Sequence, residues 1–211
     1  MKPTVLTAFA LGFTLLASVP ARAEAPFGAV TAAPLVRGGQ AVYGLMGYPT
    51  VRAGFRQGYS SFEVGAELGF DWVATDFFAT ATGRRTLYAH EGLNLSVDAR
   101  LGGFASAGAR WADSVNRSGG GVRFELGTSL SYQVSSPVSL VAFLKVPTEI
   151  PLNDGGSVKV LGLIGGGAEF AVSREYFLAI DAAVGPDFRT QVQQTTRFSV
   201  EAMIGFGYRV F

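Results

Sequence analysis

Apolar residues recur at every second position through most of this chain, and the pattern is cleanest in two stretches. In Gln194–Phe211 (QTTRFSVEAMIGFGYRVF), Phe198, Val200, Ala202, Ile204, Phe206, Tyr208 and Val210 share one parity, opposite Arg197, Ser199, Glu201, Met203, Gly205, Gly207 and Arg209. In Ser61–Thr75, Phe62, Val64, Ala66, Leu68, Phe70 and Trp72 alternate with Glu63, Gly65, Glu67, Gly69 and Asp71. A repeat of two is that of a strand whose faces meet different surroundings. Here one face is apolar and the other is polar or small.

The same reading extends to weaker segments. Gln40–Tyr48 is a candidate strand with apolar residues on both parities, ended by Pro49, and Val51, Ala53 and Phe55 alternate with Arg52, Gly54 and Arg56. A turn is expected at Gln57–Ser60 and a loop over Asp76–Arg84. A strand is then expected from Arg85 to about Arg100, with Leu87, Ala89, Leu93, Leu95, Val97 and Ala99 opposite His90, Asn94, Ser96, Asp98 and Arg100. Gly103–Trp111, Val122–Val134, Val138–Val146, Val158–Val172 and Tyr176–Gly185 complete the set, separated by ADSVNRSGGG, Ser135–Pro137, PTEIPLNDGGS, Ser173–Glu175 and PDFRTQVQQ. Tight connections near Gln57, Ser136 and Arg174 alternate with long polar ones near Ala79, Ser118, Asn153 and Thr190, as when each kind keeps to one side of a membrane. Aromatic residues near strand ends match two interfacial girdles. Counting Gln40–Tyr48 and the Thr50 segment gives about ten strands, and omitting both gives about eight.

Composition moves this picture toward a membrane. Only 16% of the 211 residues are charged, against about 25% in an average soluble domain. The chain opens with Lys2, an apolar run from Val5 to Val19, Pro20 and the small-x-small site Ala21-Arg22-Ala23. That is the pattern of a secretory signal peptide over residues 1–23, cut before Glu24. Its apolar run is shorter than the roughly 20 residues of a spanning helix. Residues 24–39 read as a periplasmic lead-in and 40–211 as a single barrel domain. There is no cysteine, so neither a lipoprotein anchor nor a disulfide is available. Lys+Arg 17 against Asp+Glu 16 gives no basic stripe and no nucleic-acid partner.

With signal peptide, alternating strands, short and long turns and a terminal Phe211 together, the chain from about Gln40 onward resembles the small bacterial outer-membrane β-barrel proteins. The resemblance implies an all-β, closed antiparallel up-and-down transmembrane barrel of about eight or ten strands in the outer membrane. It also implies contact with outer-membrane lipid and a C-terminal strand read by the barrel assembly machinery. In that family the last aromatic sits in phase with the outward residues, whereas Phe211 is out of phase with Tyr208 by parity. Either a bulge near Tyr208 resets the register or the signal is less standard.

If the apolar parity faces lipid, the lumen is lined by Arg52, Arg56, Glu63, Glu67, Asp71, His90, Asp98, Arg100, Arg123, Glu125, Lys145, Glu169, Asp181, Arg197 and Glu201, with Arg209 on the same parity. Both signs are interleaved, and charges in so narrow an interior must pair or stay solvated. The expected role is structural, or a narrow polar pore for small solutes. A soluble periplasmic ligand-binding barrel, with its apolar face turned inward, is the first alternative. A lipid-modifying enzyme is the second, since the single histidine, His90, shares a strand face with Ser96 and Asp98. No catalytic set, metal cluster or cofactor motif stands out.

Overall fold

The computed structural model describes residues 35, 37–60, 62–109, 118–153, 156–190 and 197–210. Its strands are β1 Gln40–Tyr48, β2 Thr50–Gly58, β3 Phe62–Asp71, β4 Asp76–His90, β5 Leu93–Ala107, β6 Ser118–Ser135, β7 Val138–Pro151, β8 Lys159–Leu161, β9 Leu163–Ala171, β10 Tyr176–Arg189 and β11 Arg197–Val210. All pairings are antiparallel, and β1 pairs with both β2 and β11, so the sheet closes without a free edge. β8 and β9 both lie between β7 and β10 and form one interrupted crossing, which makes a ten-stranded barrel. The interruption has a local cause. Gly162 donates its N–H to the Pro186 carbonyl at 3.0 Å, and proline has no N–H to return.

One end, called lower here, holds the start of β1, the end of β11 and the junctions of β2 with β3, β4 with β5, β6 with β7 and β9 with β10. At the upper end β1 gives way to β2, β3 to β4, β5 to β6, β7 to β8 and β10 to β11, so the three longest intervals between strands begin and end on one side. Even the shortest full strands, β1 and β2 at nine residues each, reach the 9–11 that a tilted strand needs to cross a bilayer.

Outside, large apolar side chains are exposed on all ten crossings, among them Met46 59%, Leu68 51%, Leu101 64%, Leu126 59%, Ile164 64% and Ile204 56%. A soluble monomer seldom shows an apolar patch beyond about 300–600 Å², and a complete belt of this kind requires lipid. The barrel is therefore a transmembrane one. Aromatics edge the belt. Tyr59 stacks on Phe62 and Tyr176 lies against Phe206 and Tyr208 near the lower end, while Tyr48 meets Trp72 edge-on at 5.5 Å near the upper.

Several expected boundaries move. Residues 76–84, expected as a loop, are the first part of β4, and the expected strand Arg85–Arg100 is a hairpin turning at Glu91 and Gly92, both with positive φ. Residues 118–121, 147–151 and 186–189 also belong to strands rather than loops. The pairings of β11 run to Val210 without a register shift, so no bulge occurs near Tyr208; Phe211 lies outside the described residues, as do residues 1–34. Within the expected lead-in, Leu35 is buried in the lower mouth, donating its N–H to Glu63 Oε1 at 2.7 Å.

Candidate functional site: the lumen

Facing in from β2 and β3, Arg56 is paired with Glu63, and higher up Arg52 and Glu67 are both buried. Tyr43 on β1 donates its hydroxyl to Glu67 Oε2 at 2.9 Å. Arg100 on β5 bridges Glu67 at 3.1 Å and Glu125 of β6 at 3.2 Å. Below that bridge Arg84 pairs with Asp98, which also accepts from Ser129 at 3.2 Å. Glu201 on β11 receives Arg52 at 3.2 Å from one side and Lys145 of β7 from the other. Because β7 and β11 are separated by two crossings on the shorter way round, the Lys145–Glu201 pair passes through the interior instead of along the wall. Toward the upper mouth Arg123 pairs with Glu149, which also faces Lys159 at 3.8 Å, and Arg189 pairs with Asp187 at 3.0 Å.

Two apolar clusters also face in, among these charges. Tyr43, Leu45, Phe177, Ala179 and Met203 form one buried cluster, and Leu161, Leu163 and Ala183 with Phe143 form another. Aromatic rings lie flat over glycines of the next strand. A Cβ at Gly69 would enter the ring of Phe78, and one at Gly207 would enter that of Phe177. Glycine on the inner face thus makes room for rings.

Two spaces remain. A central chamber of about 80 Å³ is lined by Arg52, Glu67, Arg100, Lys145 and Asp181, among others. An upper chamber of about 60 Å³ is lined by Asp76, Phe104, Glu149, Asn153, Lys159 and Arg189, among others. A gap of about 10 Å³ lies lower, beside Arg56, Glu63 and Arg84. Spaces of this size with charged linings hold a few waters.

Of the residues read from parity, Arg52, Arg56, Glu63, Glu67, Glu125, Glu169, Glu201 and Arg209 are buried on the inner face. Asp98, Arg100, Arg123, Lys145 and Asp181 are part-exposed there, several to the central chamber. Asp71 sits at the upper end of β3 and caps its turn, accepting the N–H groups of Val73 at 2.9 Å and Ala74 at 2.8 Å. Arg197 begins β11 at the upper rim. His90 is a correction. A bulge between Thr86 and Tyr88 shifts the parity of the last residues of β4, so His90 leaves the lumen and its side chain is 66% exposed at the lower rim. It is not brought to Ser96, which is fully buried, or to Asp98, which is held by Arg84. The parity reading missed Phe78, Asp76, Arg84, Glu149, Lys159, Asp187 and Arg189, all in segments expected to be loops or strand margins.

No known family model and no curated protein matches the sequence. Solved structures similar in form include a designed transmembrane β-barrel, 16% identical over 84% of this chain and 100% of that one, with a TM-score of 0.41. A KdgM porin is 6% identical over 82% and 98%, with a TM-score of 0.43. The KdgM porin in complex with disordered oligogalacturonate is 8% identical over 82% and 99%, with a TM-score of 0.44. What this barrel does is read from its own lumen.

Proposed function

We propose that this is an integral outer-membrane barrel with a narrow polar pore, admitting water and small ions and excluding larger solutes. The observation that carries the reading is the ion-pair lattice anchored on Glu201 and Glu67, which crosses the interior and leaves only chambers of about 80 and 60 Å³. Paired charges keep the path polar without presenting a single-signed field. The signal-peptide pattern of residues 1–23 supports export, and the lower end, with its short turns, suits the periplasmic side. The belt would be in contact with outer-membrane lipid, and β11 is the segment suited to the barrel assembly machinery.

The test is purification from envelope fractions with a heat-modifiable gel shift, followed by recording in planar bilayers. Expected are outer-membrane recovery, a faster-migrating folded form and small conductance steps, with sugars excluded in liposome swelling. Recovery in the soluble periplasmic fraction would overturn the membrane reading. A folded outer-membrane protein that never conducts, even when Lys145→Ala opens the lattice, would leave a structural role in its place.

A further inference from the structure

The two chambers share no lining residue, and Phe78, which lines neither, lies among side chains tied to both linings. Phe78 projects inward from β4 and is 1% exposed. The Arg123 guanidinium of β6 lies 4.0 Å from its ring centroid, and that of Arg52 of β2 lies 6.0 Å from it. On the wall side the ring rests on Gly69 of β3. Arg52 lines the central chamber, while Arg123 is tied to Glu149, which lines the upper one. A continuous stack thus runs from the wall of one chamber through Phe78 to the wall of the other.

We infer that Phe78 is the partition of the pore, the side chain that separates the central chamber from the upper mouth. This rests on the pore reading above. A ring backed by Gly69 and met by two guanidinium groups keeps a fixed place without a hydrogen bond, through the attraction of cations to an aromatic ring. With Phe104 opposite it on β5, it puts apolar surface between two charged linings, so it interrupts the water path as well as filling it. Arg52 and Arg123 are each engaged by a carboxylate, Glu201 and Glu149, which holds both guanidinium groups in place. Passage between the two chambers is then set by this one removable group, within the lattice that narrows the rest of the path.

Because the chain has no cysteine, Phe78→Cys gives a thiol without background. The experiment records the full-length protein in planar bilayers as wild type, Phe78→Cys, Phe78→Leu and Lys145→Ala, each first shown to be folded by its gel shift. Phe78→Cys should conduct several-fold more than wild type, and treatment with benzyl methanethiosulfonate, which restores an aromatic ring through a new disulfide, should return it to the wild-type level. Methyl methanethiosulfonate should not. Phe78→Leu, which keeps most of the bulk, should stay near wild type and serves as the second variant should the cysteine protein fold poorly. If Lys145→Ala conducts more than wild type while Phe78→Cys does not, the partition is refuted and the pore reading stands. If no protein conducts, both are refuted. A rise in Phe78→Cys that the benzyl reagent leaves untouched also overturns the partition, since the opening then comes from loosened packing.

Discussion

Glu201 is the residue whose replacement most directly probes the lattice. Its carboxylate receives Arg52 Nη2 at 3.2 and 3.3 Å and also binds Lys145, with the Glu201 and Arg52 side chains each 6% exposed. Glu201→Gln keeps the shape and removes the charge, leaving two cations without their shared partner. Breaking a buried pair in this way costs about 3–5 kcal/mol, most of it the cost of the stranded charge. Two features lower the figure here. Arg52 and Lys145 both line the central chamber, so water can take up part of the lost solvation. Glu67 and Glu125 also act on Arg52. A loss of about 2–3 kcal/mol is expected, read by urea unfolding in lipid vesicles with tryptophan fluorescence. The triple variant Arg52→Met, Lys145→Met, Glu201→Leu removes the charges together and should lie within about 1 kcal/mol of wild type. A loss below about 1 kcal/mol for Glu201→Gln would refute the reasoning, because it would mean that these charges are already solvated and the lumen is wider than its ion pairs suggest.

Three further outcomes follow from positions on the wall. Leu101, 64% exposed on the outer face of β5, should cost about 2–4 kcal/mol as Leu101→Arg if it lies near the bilayer centre, whereas Leu152→Arg in the upper connection should change stability by less than about 0.5 kcal/mol; vesicle unfolding compares the two. Tyr43→Phe removes a hydroxyl donated to the buried Glu67 carboxylate and should lose about 1–2 kcal/mol without impairing export, seen as a gel shift at lower temperature. His90→Ala should alter neither conductance nor, beyond about 0.5 kcal/mol, stability, and a loss of either would return His90 to the lumen.

Alternation revealed the barrel because a strand between lipid and a filled lumen is sorted at every residue. It could not place the β4–β5 hairpin. A two-residue turn alone reverses the parity that faces inward. The bulge between Thr86 and Tyr88 adds one residue and reverses it again, so odd positions are outward both in β4 above the bulge and throughout β5. The apolar rhythm of Leu87, Ala89, Leu93 and Leu95 therefore runs through the turn as if the chain were straight. The count of ten came out because two true strands had been exchanged for two displaced ones. Beyond the bulge His90 is turned out of the lumen. The signal that was present was the dipeptide Glu91-Gly92, a turn of the kind that needs positive φ at both positions.

Parity says which side of the wall a charge occupies and nothing about what it meets there. Arg100 reaches Glu67 across one intervening strand, and Lys145 reaches Glu201 through the interior, distances that depend on the stagger of the whole cylinder. No local window of sequence contains that stagger. Phe78 was hidden for a different reason. An aromatic residue flanked by Phe77 reads as part of an apolar run, and its inward direction is evident only once Asp76, Thr80 and Thr82 are seen to share its parity. An apolar ring on the polar parity breaks the rule by which the barrel is recognised, and it does so where the lumen narrows between two chambers. The exception is shared with Phe104, opposite it on β5, and is held in place by Gly69 behind the ring and the guanidinium groups of Arg52 and Arg123 beside it; the same contacts make it the position at which one substitution should change what passes.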